Sequence, residues 1–224
     1  MLKWIWGTVA AIVLLGFGLS VQPHWTRSSP QDAVYVIEAD GGNGSGVMIA
    51  PGLMLTAAHV AAQTRVAAMW VRYRDTRVPI AVLYMDETRD LAIVGDPALA
   101  CPCATLYSGE LAQGDRLIGV GFPAYVSMHQ KFITEGMYQG RDKGGAINVS
   151  VQIAPGNSGG GIFYNGYLVG IAADLAATQA GNGMFSITLP WAHLARAVGW
   201  DVIRDTLTKH RMGEQIKQLE AKEY

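Results

Sequence analysis

Short apolar or alternating runs, separated by turn residues, fill most of the chain from residue 33 to residue 189. Six runs come before a bend at 96–103 that is rich in Ala, Pro and Cys, and six come after it. The runs are 33–38, 46–50, 53–56, 66–73, 78–84 and 91–95, then 116–121, 131–137, 146–153, 161–164, 167–172 and 184–189. Such closely spaced strands predict β-barrels or a sandwich, because βαβ units would need helical stretches between strands. The bend is a candidate boundary between two barrels.

An uncharged stretch at residues 4–21 opens the chain. As a helix, its 18 residues would span roughly 27 Å, just enough for the hydrocarbon core of a bilayer. A cleaved signal peptide needs small residues at the cleavage site. Gly16 and Gly18, or Gly18 and Ser20, could serve, but there is no Ala-x-Ala sequence. An uncleaved signal anchor fits the length and the tryptophans near each end, and we favour it. Under either interpretation, the rest of the chain is exported from the cytosol. With an anchor, the protein is a single-pass membrane protein with an extracytoplasmic domain; after cleavage, it is secreted or periplasmic.

Near the end of the chain the pattern changes. Pro190 is typical of a helix entry and Gly199 of a helix end, so we expect a helix at 190–198, followed by a second amphipathic stretch at 202–219. The predicted organisation is a signal anchor at 1–22, a linker at 23–31, an N-terminal barrel at 32–100, a C-terminal barrel at 101–190 and a helical segment at 191–224. Three separate apolar burials follow: the membrane segment and two barrel interiors.

Composition narrows the classes of function. Half of the 224 residues are hydrophobic, which predicts a folded chain. The 17 Lys+Arg nearly balance the 18 Asp+Glu, so the protein has no positive electrostatic field to attract a phosphate backbone. We therefore expect no nucleic-acid partner.

The two cysteines, Cys101 and Cys103, flank one proline. Cysteines one residue apart rarely meet the geometry of an unstrained disulfide, and two thiolates alone leave a zinc site half empty. We expect a loop with incidental thiols rather than a redox or intermolecular-disulfide role, and neither metal nor cofactor.

Three segments each place a reactive side chain in an apolar or glycine context. His59 follows a run of small residues, Asp90 precedes an apolar strand, and Ser158 lies in the glycine loop Gly156-Asn157-Ser158-Gly159-Gly160. A serine hydroxyl needs a base to become nucleophilic, and a histidine oriented by a carboxylate is that base. The N–H groups of Gly156 and Ser158 would stabilise the tetrahedral oxyanion.

These segments, Thr56-Ala57-Ala58-His59, Asp90-Leu91-Ala92 and the Ser158 loop, resemble the three signatures of trypsin/chymotrypsin-fold serine proteases, in that family's chain order. Within the family, the chain is similar to HtrA/Deg-type peptidases over about residues 33–198, without a PDZ domain. The resemblance implies an all-β fold of two six-stranded antiparallel barrels, with His59, Asp90 and Ser158 catalytic. Asp86 and Asp96 are nearby acids that stand outside the pattern.

The resemblance also implies a specificity pocket. Its predicted substrate-binding residues are Gln152, Ile153, Ala154, Pro155, Ile171, Ala172 and Ala173. Gln152 stands where a trypsin-like preference would need an acid, so a small or medium apolar side chain is expected before the scissile bond. Asp174 would change this if it turned into the pocket. Asn157 has no charge to pair with a released N-terminus, so activation by zymogen cleavage is not expected.

The leading hypothesis is a membrane-anchored serine endopeptidase that acts on protein or peptide substrates. A catalytically silent or weakly active protease fold, used as a binding or chaperone-like module, is the alternative. A third hypothesis, a membrane-associated assembly protein, is based only on the amphipathic stretch at 202–219. As a helix, this stretch would more simply pack on the protein's own barrel. The sequence gives no oligomeric state.

Overall fold

The computed structural model describes residues 29–39, 42–62, 68–74, 76–124, 129–182 and 185–210, with only the backbone described at 175–193. The predicted signal anchor at 1–22 and most of the predicted linker at 23–31 lie outside these ranges. Within them, no helix has the length and apolar character needed to cross a bilayer.

The first sheet contains seven antiparallel strands. They are β1 (Val34–Ala39), β2 (Gly42–Ala50), β3 (Leu53–Thr56), β4 (Met69–Tyr73), β5 (Thr76–Pro79), β6 (Ala81–Asp86) and β7 (Leu91–Gly95), in the spatial order β5-β4-β1-β2-β3-β7-β6. A 3-10 helix (Pro30–Ala33) precedes β1, and α1 (Ala58–Ala61) follows β3. Six strands were expected. The run at 78–84 is divided because β5 ends at Pro79, which has no N–H to donate.

The second sheet is a closed barrel of six strands. They are β8 (Arg116–Gly121), β9 (Phe132–Arg141), β10 (Ile147–Val149), β11 (Gly161–Tyr164), β12 (Tyr167–Asn182) and β13 (Phe185–Gly199), in the order β10-β13-β12-β11-β8-β9. The predicted all-β double barrel, with this six-stranded closed unit, is confirmed.

The helix predicted at 190–198 is wrong. Those residues belong to β13, and the C-terminal helix α2 (Trp200–Lys209) begins only after Gly199. Ala195 and Ala197 are buried inside the barrel while Arg196 between them is exposed, which is the two-residue period of a strand. Pairing with β10 and β12 fixes that period.

Apolar side chains form three clusters. One fills the first barrel around Met48, Met54 and Val94, and one fills the second around Leu117 and Ile147. The third, which we call the shared core, lies between the barrels and under α2. Its members include Val47, Ile49, Leu55, Leu91, Ile93, Phe163, Leu168, Ile171, Ile203 and Leu207. This third cluster, between two barrels, is additional to the interiors that the sequence predicted.

Cys101 and Cys103 form a disulfide, with Cα atoms 4.6 Å apart. The expectation of free thiols is therefore corrected. The bridge lies in the segment between the barrels, which is held to the first barrel on both sides: Leu99 accepts from the Gly52 N–H at 2.7 Å and Ala104 donates to Met48 at 2.8 Å. With its flanks fixed, the segment brings the two thiols together at a separation within the usual range.

Glu38 on β1 is buried, at 8% exposure, and no other charged residue is buried among those whose side chains the structure describes. Its carboxylate accepts from Arg72 at 2.8 Å and lies 2.9 Å from Arg77 and 3.0 Å from His129. Burial alone would raise the pKa of Glu38, but the hydrogen bonds from Arg72 and His129 and the charges of both arginines hold it below its ordinary value. The ionised carboxylate is thus a stabilising group.

Replacing Glu38 with Gln is expected to lower the free energy of unfolding by about 1–2 kcal/mol at neutral pH, because Arg72 and Arg77 lose their counter-charge. A carboxylate whose pKa is lowered by folding stabilises above its unfolded-state pKa, and this contribution is lost as pH falls through the folded-state pKa. Urea titrations at decreasing pH should therefore show the two proteins converging.

The control is Glu135→Gln. Its partner Arg116 lies 4.0 Å away and both side chains are exposed, so the change should stay within about 0.5 kcal/mol. Equal losses for Glu38→Gln and Glu135→Gln would contradict the assigned role of Glu38.

Candidate active site

His59 lies in α1, immediately after the buried strand β3. The backbone before it is tightly packed, with Ala57 and Thr56 fully buried. The ring Nδ1 is 2.9 Å from Asp90 Oδ2 and 3.0 Å from Oδ1. A carboxylate only accepts, so in the neutral imidazole Nδ1 carries the proton and Nε2 is left with its lone pair. The imidazole is half exposed, which makes that lone pair accessible.

Asp90 ends the turn that leads into β7. Its backbone is in the left-handed region, with φ 53°. Besides the ring, its Oδ1 accepts the backbone N–H of His59 at 3.0 Å, so the carboxylate fixes both the position and the orientation of the histidine. The neighbouring acids are occupied elsewhere. Asp86 accepts the N–H groups of Thr88 and Arg89, and Asp96 accepts that of Ala98.

Ser158 belongs to the second barrel, in the loop between β10 and β11. Its Oγ donates to the carbonyl of Ala173 on β12 at 3.2 Å, and no hydrogen bond to His59 occurs among the described contacts. Ala173 and Asp90 line the same cavity. The structure thus joins His59 to Asp90 directly, whereas the hydroxyl of Ser158 is bound to Ala173, a residue that lines the same cavity as Asp90.

The loop before Ser158 orients two free N–H groups. Pro155 accepts from the Ala124 N–H at 2.9 Å, and because a trans peptide places C=O and N–H on opposite sides, the Gly156 N–H points away from Ala124. Among the described residues, neither the Gly156 nor the Ser158 N–H has an acceptor. Gly156 has φ 96°, and a Cβ there would lie 2.4 Å from the Phe122 carbonyl, so only glycine fits.

The predicted substrate-binding residues differ in their exposure to solvent. Gln152 and Pro155 are exposed, and Ile153 and Ala154 are intermediate. Gln152, Ile153 and Ala172 line a small cavity of about 10 Å³ with Thr134 and Asn157. Ile171 is fully buried in the shared core, so its side chain has no surface to offer a substrate and its role is packing, which corrects the expectation for this residue.

A larger cavity of about 370 Å³ lies beside Asp90. Across it, Arg196 binds Asp174 through two hydrogen bonds, at 2.9 and 2.6 Å, and Asp142 lies 3.8 Å from the guanidinium. Asp174 is therefore paired rather than turned into the small cavity. The sequence analysis did not identify Arg196 because this residue lay on the predicted helix at 190–198. In a strand, a polar residue between two alanines is expected to face outward, and this alternation could have identified it.

The surroundings of His59 raise the pKa of its imidazole. The hydrogen bond to Asp90 is the largest cause; burial opposes it, and the charges of Asp90 and Asp174 add to it. The described parts of the chain contain no group of three or more His, Cys, Asp or Glu side chains placed to hold a metal ion. The arrangement is an oriented, half-exposed histidine base near a serine and two unsatisfied amide donors.

Comparisons with known proteins agree on the fold. The family model described as "Trypsin-like peptidase domain" matches residues 44–171, more than half of the chain. No protein with a curated description matches. The Rv3671c protease of M. tuberculosis, in its inactive form, is a similar solved structure with a TM-score of 0.64 and 20% identity, covering 80% of this chain and 89% of that one.

Two further structures extend the agreement. The HtrA-type protease AlgW with a tripeptide has a TM-score of 0.66 and 23% identity, covering 83% of this chain and 62% of that one. The serine endoprotease from Yersinia pestis has a TM-score of 0.63 and 20% identity, covering 86% and 65%. With its double barrel and its matched domain model, this chain belongs to the trypsin-like peptidase family.

Proposed function

We propose that the protein is a serine endopeptidase in which Ser158 is the nucleophile, His59 the general base and acid, and Asp90 the orienting carboxylate. The observation that carries this is the contact of His59 Nδ1 with both carboxylate oxygens of Asp90, at 2.9 and 3.0 Å. The Nδ1–H donates to the carboxylate, which leaves Nε2 as the basic atom. Membership of a peptidase family supports it.

The first half of the reaction forms an acyl-enzyme. The Ser158 hydroxyl turns from the Ala173 carbonyl toward His59 Nε2, which takes its proton as Oγ attacks the substrate carbonyl carbon. The oxyanion that forms accepts from the Gly156 and Ser158 N–H groups, each worth about 3 kcal/mol of barrier. His59 then gives the proton to the leaving amine as the C–N bond breaks.

The second half releases the product. Water gives a proton to His59 Nε2 and attacks the acyl carbon, and the same two N–H groups bind the second oxyanion. His59 returns the proton to Ser158 Oγ as the ester bond breaks. Asp90 stays ionised throughout and stabilises the imidazolium in both halves.

We place this activity outside the cytosol, with the uncharged stretch at 4–21 as the membrane anchor. The disulfide between Cys101 and Cys103 supports that location, because disulfides persist in oxidising compartments. The substrates are then proteins or peptides of the same compartment.

For the side chain before the scissile bond, we propose a small or medium apolar residue. Gln152 offers no carboxylate to a Lys or Arg side chain, and the Asp174 carboxylate is paired with Arg196 and does not line the small cavity. Gln152, Ile153, Ala154, Pro155, Ala172 and Ala173 would form the walls of this pocket.

Replacing Ser158 with Ala is expected to lower kcat by about three to six orders of magnitude while leaving thermal unfolding nearly unchanged, because only the nucleophile is removed. Turnover of a casein-like substrate measures this, and a fluorophosphonate probe should label the wild type but not the variant. A wild type that binds unfolded chains yet neither turns over nor reacts with the probe would favour the binding-module alternative.

Cleavage profiling with a peptide library should return small or medium apolar residues before the scissile bond. In the same assay, Gln152→Asp should gain cleavage after Lys and Arg, because a carboxylate is then present to pair with them. Wild-type cleavage restricted to Lys and Arg sites would refute the proposed pocket.

Asp174→Asn should move the acid limb of the kcat/KM profile to lower pH. The negative charge of Asp174 favours the imidazolium and raises the pKa of His59, so its removal should lower that pKa. His59 is an active base only when neutral, so the variant should stay active to a lower pH. Glu135→Gln on β9 removes one negative charge elsewhere and serves as the control. An unchanged limb, or one that moves to higher pH, would show that Asp174 does not act on His59.

A further inference from the structure

Ser45 is a fully buried polar residue on β2, the strand whose following residues, Val47–Ala50, are all buried and apolar. Its hydroxyl has both kinds of partner. Oγ donates to the Gly156 carbonyl at 2.7 Å and accepts the Phe122 N–H at 3.0 Å. One hydroxyl of the first barrel therefore joins two separate segments of the second.

One of these segments forms part of the proposed oxyanion hole, and the other supports it. Gly156 supplies one donor, and its N–H is aimed by the bond from Ala124 to the Pro155 carbonyl, two residues beyond Phe122. The Ser45 hydroxyl holds the next peptide through the Gly156 carbonyl. The peptide group that carries the Gly156 N–H is therefore fixed, and so is the peptide group that follows it. The Pro155 carbonyl is held by Ala124 and the Gly156 carbonyl by Ser45, whose hydroxyl also binds the Phe122 N–H.

The backbone of Ser45 holds Ser158, the residue that supplies the second oxyanion donor. Its N–H donates to the Ser158 carbonyl at 2.8 Å, and its own carbonyl accepts from Thr56 Oγ1 at 2.7 Å. Thr56 ends β3, three residues before His59. Ser45 therefore lies between the strand that leads to the base and the loop that bears the nucleophile.

We propose that the Ser45 hydroxyl is a positioning residue that holds Gly156 with its N–H directed at the oxyanion, an inference that rests on the proposed peptidase function. Without the hydroxyl, the buried Gly156 carbonyl and Phe122 N–H both lose their partner. The Gly156–Asn157 peptide can then turn, and Phe122 no longer fixes the segment from which Ala124 holds the Pro155 carbonyl. The direction of the Gly156 N–H is lost although no residue that touches substrate has changed.

The test compares Ser45→Ala with Tyr73→Phe. The control also removes a hydroxyl that donates to a backbone carbonyl, at 3.0 Å to Ala100, but within the first barrel and away from the site. Urea unfolding first establishes that each variant is folded. Ser45→Ala should then lower kcat about 10- to 100-fold, with KM within about twofold, because the donor acts mainly in the transition state. Tyr73→Phe should keep both constants.

A second measurement separates positioning from general loosening. Affinity for a peptide boronic acid, whose tetrahedral adduct needs the oxyanion hole, should fall in Ser45→Ala by the same factor as kcat. Binding of the matching unreactive peptide should not change. Ser45→Thr retains the hydroxyl and should recover most of kcat; if Ser45→Ala does not fold, Ser45→Cys, nearly the same size with a weaker donor, takes its place.

Three results would decide against the inference. Full kcat in the folded Ser45→Ala or Ser45→Cys variant, or a loss confined to KM, would overturn it while the active wild type still upholds the peptidase function. A wild type without turnover or probe labelling would overturn both.

Discussion

The shared core between the two barrels is the interaction on which the site depends. Leu91 and Ile93 project from β7 toward the second barrel, while Ala92 and Val94, next to them in sequence, fill the first. Because β7 is buried on both faces, it has a fixed position relative to both barrels. Asp90 immediately precedes that strand, and Ile171, two residues before the Ala173 carbonyl that accepts from Ser158, packs in the same core. Apolar packing thus brings together polar groups from two separate sheets.

Polar contacts across this junction then set the orientation of individual groups. Hydrophobic packing is non-directional and cannot by itself aim an N–H or select a tautomer. Hydrogen bonds supply the directional part: the ring and backbone N–H of His59 donate to Asp90, Ala124 donates to Pro155, and Ser45 donates to Gly156 and Ser158. The hydrogen bond from Ser45 to Gly156 is buried and therefore costly to leave unmade, so the loop has few alternatives.

Much of the architecture could be predicted from the sequence. The strand runs required only local patterns, and the double barrel agrees with them. The misses share one cause. Residues 190–198 have local features of a helix, but pairing of β13 with β10 and β12 makes them a strand. Cys101 and Cys103 looked unsuited to a bridge by spacing, yet their flanks are held so that the thiols meet.

The sequence by itself determined which chemistry-bearing residues exist, their order, and the local backbone each needs: glycine where φ is positive at Gly156, and an apolar strand directly after Asp90. Only the tertiary structure decided which of them meet. The pairing of Asp174 with Arg196, the burial of Ile171 and the three-way contact at Ser45 all join residues distant in the chain. Those contacts arise from packing between sheets, which no local pattern of hydrophobic and polar positions encodes.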